Sequence, residues 1–273
     1  MHGLQKQSVL GDLRAQIAAI EKRPVLAEGA AMLRETAGAG FLVAPPGLMH
    51  EVHAEETRNA AMGLAFALGQ ARTLIKPERP AVFFMQLMHE AQQQGLPYGA
   101  GLASFGFDPH DLVFVRVKTI NELLWAQEEA LGCKAVAAVI ADIGGAPKVF
   151  DFTASRRLAM RAASGGASLF VLRYGAGREA SAAQLRWRIE PAVSGEMRFD
   201  PRAPGTPRWQ VTLERNRLGL AGKTHETSWL SWKNGFELAG NRKRPPAGRV
   251  AGRGAALPGA VPAVLGRRLQ QTA

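Results

Sequence analysis

EVHAEETRNAAMGLAFAL, residues 51–68, has the outline of a nucleotide-binding element: a short strand, a loop, then an apolar helix. Met49 to Val52 read as the strand. Thr57 or Asn59 is placed to cap a helix carrying Met62, Leu64, Ala65, Phe66 and Leu68. The chemistry of the loop departs from that outline. A working phosphate loop presents glycine-flanked N–H groups to phosphate, a lysine to the outer phosphates and a Ser or Thr to magnesium. Here the positions hold His53, Ala54, Glu55, Glu56, Thr57, Arg58 and Asn59, with neither glycine nor lysine. Glu55 and Glu56 put negative charge where a triphosphate would enter, which opposes binding. Two acids just before a helix also suit its dipole without any ligand.

Outward from this stretch, short apolar runs alternate with helical periods. AVFFMQ (81–86), the run from Leu112 to Val117, KAVAAVI (134–140) and ASLFVLRY (167–174) read as buried strands. Residues 98–105, the stretch beginning at Asn121, and TASRRLAMRAA (153–163, opened by Thr153) read as helices between them. That rhythm predicts an α/β domain with a mainly parallel central sheet. After Gly177 it changes. Segments 185–193, 207–217 and 226–232 alternate with no helix between them, so they are expected as added antiparallel strands extending or flanking the sheet. Ahead of all this, Leu10, Leu13, Ile17 and Ile20 follow a helical spacing. That face packs either on its own domain or on a partner.

Composition narrows the function classes. With 47% apolar residues the chain can build a substantial core. A single cysteine, Cys133, excludes an intramolecular disulfide and a cysteine-based zinc cluster. His50, Glu51 and His53 lack the spacing of a zinc-protease helix, and no metal is expected. There is no secretory leader pattern and no apolar run long enough for a bilayer, so a cytoplasmic protein is expected, with nucleoid association an option. The formal charge is +11, and seven of those charges come from residues 241–273, which hold no acid. Arg242, Lys243 and Arg244 open this segment, which reads as a flexible basic tail suited to DNA or to an acidic partner.

The ordered set MHEVHAEETRNAAMGLAFAL, LASFGFDPHDLVFVRV, LLWAQEEAL, DFTASRRLAMRAA, LRWRI and WQVTLERNRLG resembles the ImuA family over residues 8–235. Members are related to the RecA recombinase core and belong to the SOS mutagenesis cassette. The resemblance implies a RecA-like core lacking a standard phosphate loop over 26–239, an N-terminal interaction helix over 1–25 and the basic tail over 240–273. RecA-like ATPases orient the attacking water with a carboxylate at the end of the strand after the phosphate loop. Here that strand ends in Gln86, and an amide is a poor base. Asp142 ends KAVAAVIAD and is similar to a magnesium-holding acid. No cofactor is expected.

The role the resemblance implies is accessory and non-enzymatic. The chain would bridge an ImuB-like inactive Y-family polymerase homologue and RecA in mutagenic translesion synthesis, with an error-prone C-family polymerase reached indirectly. Leu13, Ile17, Ile20, Arg157, Arg161, Arg186, Arg188, Arg215, Arg217 and the tail are the candidate partner or DNA contacts. Two other readings stay open: a single-stranded DNA binder using arginines beside Trp187 and Trp209, or a regulatory ATPase with a displaced site near Glu90.

Overall fold

Strand β1, Met49–Ala54, is buried along its whole length because it has a parallel neighbour on each side and packed side chains on each face. The computed structural model describes residues 41, 45–175, 177, 179–197, 199, 203–218, 225 and 227–240. The expected N-terminal helix and basic tail lie outside them. The other strands are β2 (Ala81–Leu87), β3 (Leu112–Val117), β4 (Val136–Asp142), β5 (Ser168–Tyr174), β6 (Leu185–Pro191), β7 (Arg208–Asn216), β8 (Thr227–Trp232) and β9 (Phe236–Leu238). They form one nine-stranded sheet in the order β3-β2-β4-β5-β1-β6-β7-β8-β9. Every pairing from β3 to β6 is parallel. From β6 to β9 every pairing is antiparallel. This is the mainly parallel RecA-like sheet with antiparallel additions.

The helices are α1 (Ala60–Arg72), α2 (Met88–Gln94), α3 (Gly99–Ser104), α4 (Ile120–Gly132) and α5 (Phe152–Gly165). One face of the sheet packs on α1, through Phe66, Phe84, Phe170, Trp187 and Trp209. The other packs on α4 and α5, through Leu123, Leu131, Val139, Leu158 and Val171. Because side chains alternate along a strand, Leu48, His50 and Val52 serve the α1 face and Met49, Glu51 and His53 the opposite one.

Trp187 and Trp209 are core residues, each 1% exposed. Burial of an indole requires a partner for its N–H. Trp187 donates to His50 Nδ1 at 3.2 Å, and Trp209 donates to the Met62 carbonyl at 3.2 Å. Trp232 donates to the Ser104 carbonyl at 2.9 Å. These bonds take both sequence-flagged tryptophans out of any base-stacking role on the surface.

Three local expectations are corrected. β6 is not antiparallel to its inner neighbour: it lies parallel to β1. Its alternation arises because Leu185, Trp187 and Ile189 enter the α1 core while Arg186 and Arg188 face the other way. The return from β5 to β6 is made by the segment 175–184, in place of the usual helical crossover. Helix α5 is opened by Asp151, whose carboxylate accepts from Ala154 N–H at 2.7 Å, and not by Thr153. Neither Thr57 nor Asn59 caps α1 with its side chain: Thr57 starts a 3-10 turn, and Asn59 holds the cap position without a side-chain bond.

The α4–α5 contact is close enough to require glycine. A Cβ on Gly165 would fall 1.9 Å from the Leu131 carbonyl oxygen. Gly165→Ala is therefore expected to destabilise the protein by about 1–3 kcal/mol in urea unfolding, despite alanine's better helix propensity. Gly101→Ala, where a Cβ meets nothing within 4 Å in exposed α3, is expected to be neutral or slightly stabilising.

Candidate functional site

In an open parallel sheet the carboxyl ends of the strands are where ligands bind. Register brings three polar side chains together there. Gln86 lies opposite Asp142 across β2 and β4, and Asp142 lies opposite Leu172 two residues before Tyr174 on β5. Gln86 Nε2 donates to Asp142 Oδ2 at 3.0 Å, and the Tyr174 hydroxyl hydrogen-bonds the same carboxylate. Glu90, in the first turn of α2, accepts from Gly144 N–H at 2.8 Å just beyond β4. Burial raises the Asp142 pKa above the ordinary range, against the pull of Tyr174 and Gln86. Burial raises Glu90 too, and the Asp142 charge raises it further. Burial, with Asp142 beside it, pushes the Tyr174 phenol up, so it stays protonated and donates.

Above this group a cavity of about 280 Å³ opens between α1 and α3. Its walls include Ala60, Leu64, Leu68, Leu102 and Phe105, with Gln86 and Asp142 among its few polar groups. No lysine, arginine or histidine among the described residues lines it. The loop ahead of α1 stays outside. Glu55, Glu56, Thr57 and Arg58 are exposed, Asn59 is half-buried, and Arg58 is ion-paired with Glu56. His53 is a buried β1 residue 3.8 Å from Glu51, on the face away from the cavity, and is no part of the loop. A triphosphate needs donors and positive charge at the end of β1. Among the described residues of that loop the one cation, Arg58, is paired with Glu56, and neither a glycine nor a lysine stands there.

The opposite face of β1 carries a second constellation. Glu51 Oε2 meets Arg186 Nη2 at 2.7 Å and Nε at 2.8 Å, and Ser181 Oγ donates to it at 2.7 Å. Arg186 also donates to the Glu179 carbonyl at 2.7 Å. Arg215 and Arg217 both donate to the Ser181 carbonyl at 3.1 Å. Burial alone would raise Glu51. The His53 hydrogen bond, the Arg186 charge and Ser181 overcome that and hold its carboxyl down at about 2. Arg215 is lowered by burial first, then by Arg186 and Arg217.

The candidate contacts therefore divide. Arg186 is 6% exposed and spent on Glu51, which corrects its reading as a partner or DNA contact. Arg215 is half-buried beside it, whereas Arg217 is exposed. Arg188 is half-exposed and lies 3.7–3.9 Å from Glu214, Glu190 and Glu55. Arg157 pairs with Glu128 at 2.5 Å and Arg161 donates to the Glu128 carbonyl at 3.1 Å. Both brace α5 on α4 while staying exposed. Leu13, Ile17, Ile20, Arg242, Lys243 and Arg244 lie outside the described residues. Sequence reasoning missed Ser181, Tyr174 and the part played by Glu51. The one usable signal was a charged residue inside each of two strands, Glu51 and Arg186, which become partners only once β1 and β6 are known to be neighbours.

A RecA-like α/β core whose strand ends hold an amide and two buried acids in place of phosphate-binding groups defines the class of this protein. No family model matches the chain. It is 36% identical over 191 residues to Protein ImuA of Caulobacter vibrioides strain NA1000 / CB15N, a match covering 65% of this chain and 73% of that protein. Protein ImuA of Caulobacter vibrioides strain ATCC 19089 / CIP 103742 / CB 15 gives the same figures. The chain belongs to the ImuA family.

Removing one member of a buried ion pair strands the other. Arg186→Met is expected to cost about 3–5 kcal/mol in denaturant unfolding, and Glu51→Leu combined with Arg186→Met should recover much of that loss. Stability should also depend on pH through His50, which is fully buried and lowered by burial from 6.5 to about 3. A depressed histidine contributes stability that is complete above pH 6.5 and lost as pH falls toward 3. The expected slope between pH 6.5 and 4.5 is up to about 1.4 kcal/mol per unit, flattened in His50→Gln. Glu51 adds its own loss below pH 4.5, as protons are taken up toward about 2.

Proposed function

We propose that this protein is a non-catalytic accessory factor of SOS-induced mutagenic translesion synthesis, bridging an ImuB-like inactive Y-family polymerase homologue and RecA. Membership of the ImuA family supports an accessory role in the DNA-damage response. The observation that carries the reading is the replacement of nucleotide chemistry at the strand ends. Gln86 cannot act as a base, and the cavity beside Asp142 offers a phosphate no cation among the described residues. A recombinase scaffold without that chemistry is left with its surfaces. No helix among the described residues is long and apolar enough to cross a membrane.

On this reading the core, 26–239, is the platform. The segment 1–25 and the basic segment 240–273 are its contact elements, joined by the exposed cations Arg157, Arg161 and Arg217. An error-prone C-family polymerase would be reached through the Y-family homologue.

The test uses the full chain. Calorimetry with ATP and magnesium is expected to give no stoichiometric binding. Size-exclusion reconstitution with the ImuB-like protein and RecA is expected to give a ternary complex that is lost when 1–25 or 240–273 is deleted. ATP turnover abolished by Asp142→Asn would instead establish an ATPase. Tight binding to single-stranded DNA at physiological salt, with no protein complex, would establish a DNA binder.

A further inference from the structure

The cavity at the strand ends combines features that point to a ligand of a different kind from a nucleotide. Gln86 and Asp142 both line it, at 2% and 3% exposure. Gln86 spends its amide N–H on Asp142, which leaves Gln86 Oε1 buried without a partner. Asp142 Oδ2 takes that bond, the Tyr174 hydroxyl bears on the same carboxylate, and Asp142 Oδ1 is buried with no hydrogen-bond partner of its own. Buried acceptors are nearly always satisfied in folded proteins, and these two belong to residues that line one cavity. The charge balance has the same sense. Asp142 lies near enough to Glu90 to raise its pKa, and no lysine or arginine among the described residues lines the cavity.

The walls set the rest of the ligand. Leu64, Leu68, Leu102 and Phe105 present apolar surface, and exposed Tyr98 stands at the mouth. The volume, about 280 Å³, sits at the lower end of small-molecule sites, so the occupant is compact. Apolar walls over a floor of unpartnered acceptors select a flat or branched apolar body with a donor head, and exclude an anion.

We propose that this cavity binds a compact organic cation, its apolar body between α1 and α3 and its amidinium or ammonium head on Asp142 Oδ1 and Gln86 Oε1. Such a head donates to both oxygens at once. It also favours the ionised form of Asp142, which burial otherwise opposes. The site uses the position of the lost ATPase groups but is independent of the adaptor reading. Its failure would leave the partner complex untouched.

Benzamidine is a suitable probe, with benzamide and benzoate as neutral and anionic controls. Titration of the full chain, followed by calorimetry and thermal shift, is expected to give saturable one-to-one binding of benzamidine, with benzamide at least about tenfold weaker and benzoate undetectable. Asp142→Asn should weaken benzamidine by about tenfold or more. Should that variant fail to fold by circular dichroism, Ala61→Phe offers a second arm. Ala61 is exposed on α1 at the cavity, so filling the mouth there should abolish binding without unfolding the core. No saturable binding at millimolar benzamidine, equal affinity for benzoate, or unchanged binding in folded Asp142→Asn or Ala61→Phe would overturn the proposal.

Discussion

Glu51 and Arg186 meet inside the protein, and the connection between the two halves of the sheet depends on that meeting. Glu51 lies on β1 and Arg186 on β6, in direct register across a parallel pair. A carboxylate at 3% exposure is tolerable only with its charge matched and its lone pairs filled. Arg186 supplies the charge. Ser181, in the segment that brings the chain back from β5, supplies a further donor. The same segment then gives its carbonyls to Arg186, Arg215 and Arg217. One buried acid thereby ties together β1, the return segment, β6 and β7. The antiparallel strands are held to the parallel sheet by this network on one face and by the Trp187 and Trp209 core on the other.

The two ends of polar chemistry around β1 and β4 are built on opposite principles. On the Glu51 face Arg186 meets the carboxylate directly, Arg215 lies near enough to feel its charge, and the acid is driven to ionise. At the strand ends the acids outnumber the bases, and burial drives Asp142 and Glu90 toward the neutral form. A nucleotide site would need the first kind of field at the second location. Arg186, expected from the sequence as a partner or DNA contact, is instead committed to Glu51 on the far side of the sheet.

Much of this architecture was legible because strands buried on both faces leave a plain apolar record. β3 falls on the residues expected of it, and β2, β4 and β5 differ by a residue or two at their ends. The record failed where one pattern has two causes. Alternation in β6 reads as an antiparallel strand, but it reports only that one side of the strand is apolar and the other is not. Pairing direction is set by which strand lies alongside, and β1 is far away in sequence. The cap of α5 failed for a local reason. Asp151 and Thr153 are both good capping residues two positions apart, and the backbone turns helical one residue earlier than the apolar period suggests. Thr119 and Glu122 do form a capping box at α4, a signal present in the sequence but passed over in favour of Asn121. At the site, Gln86 and Asp142 came from strand ends read beside the RecA-like resemblance, whereas Tyr174 and Ser181 needed strand order to be seen.

A strand–loop–helix unit whose loop holds neither glycine nor lysine is fixed in place by α1 itself. In a nucleotide-binding protein the first turn of that helix gains from the anion it holds. Here α1 is fixed by its other end and its inner face. Gly63 lets it approach Val52 of β1, and Gly69 lies against Phe236 and Trp232 so tightly that a Cβ would come within 3 Å of either ring. Phe66 fills the space between Trp187 and Phe236. The contacts of Phe66 and Gly69 belong to β6, β8 and β9, and that of Gly63 to β1. Because the helix is anchored there, the residues at its start are free of any duty to bind phosphate. The glutamates at 55 and 56 then cost the fold little, since they sit exposed ahead of a helix whose position they do not set.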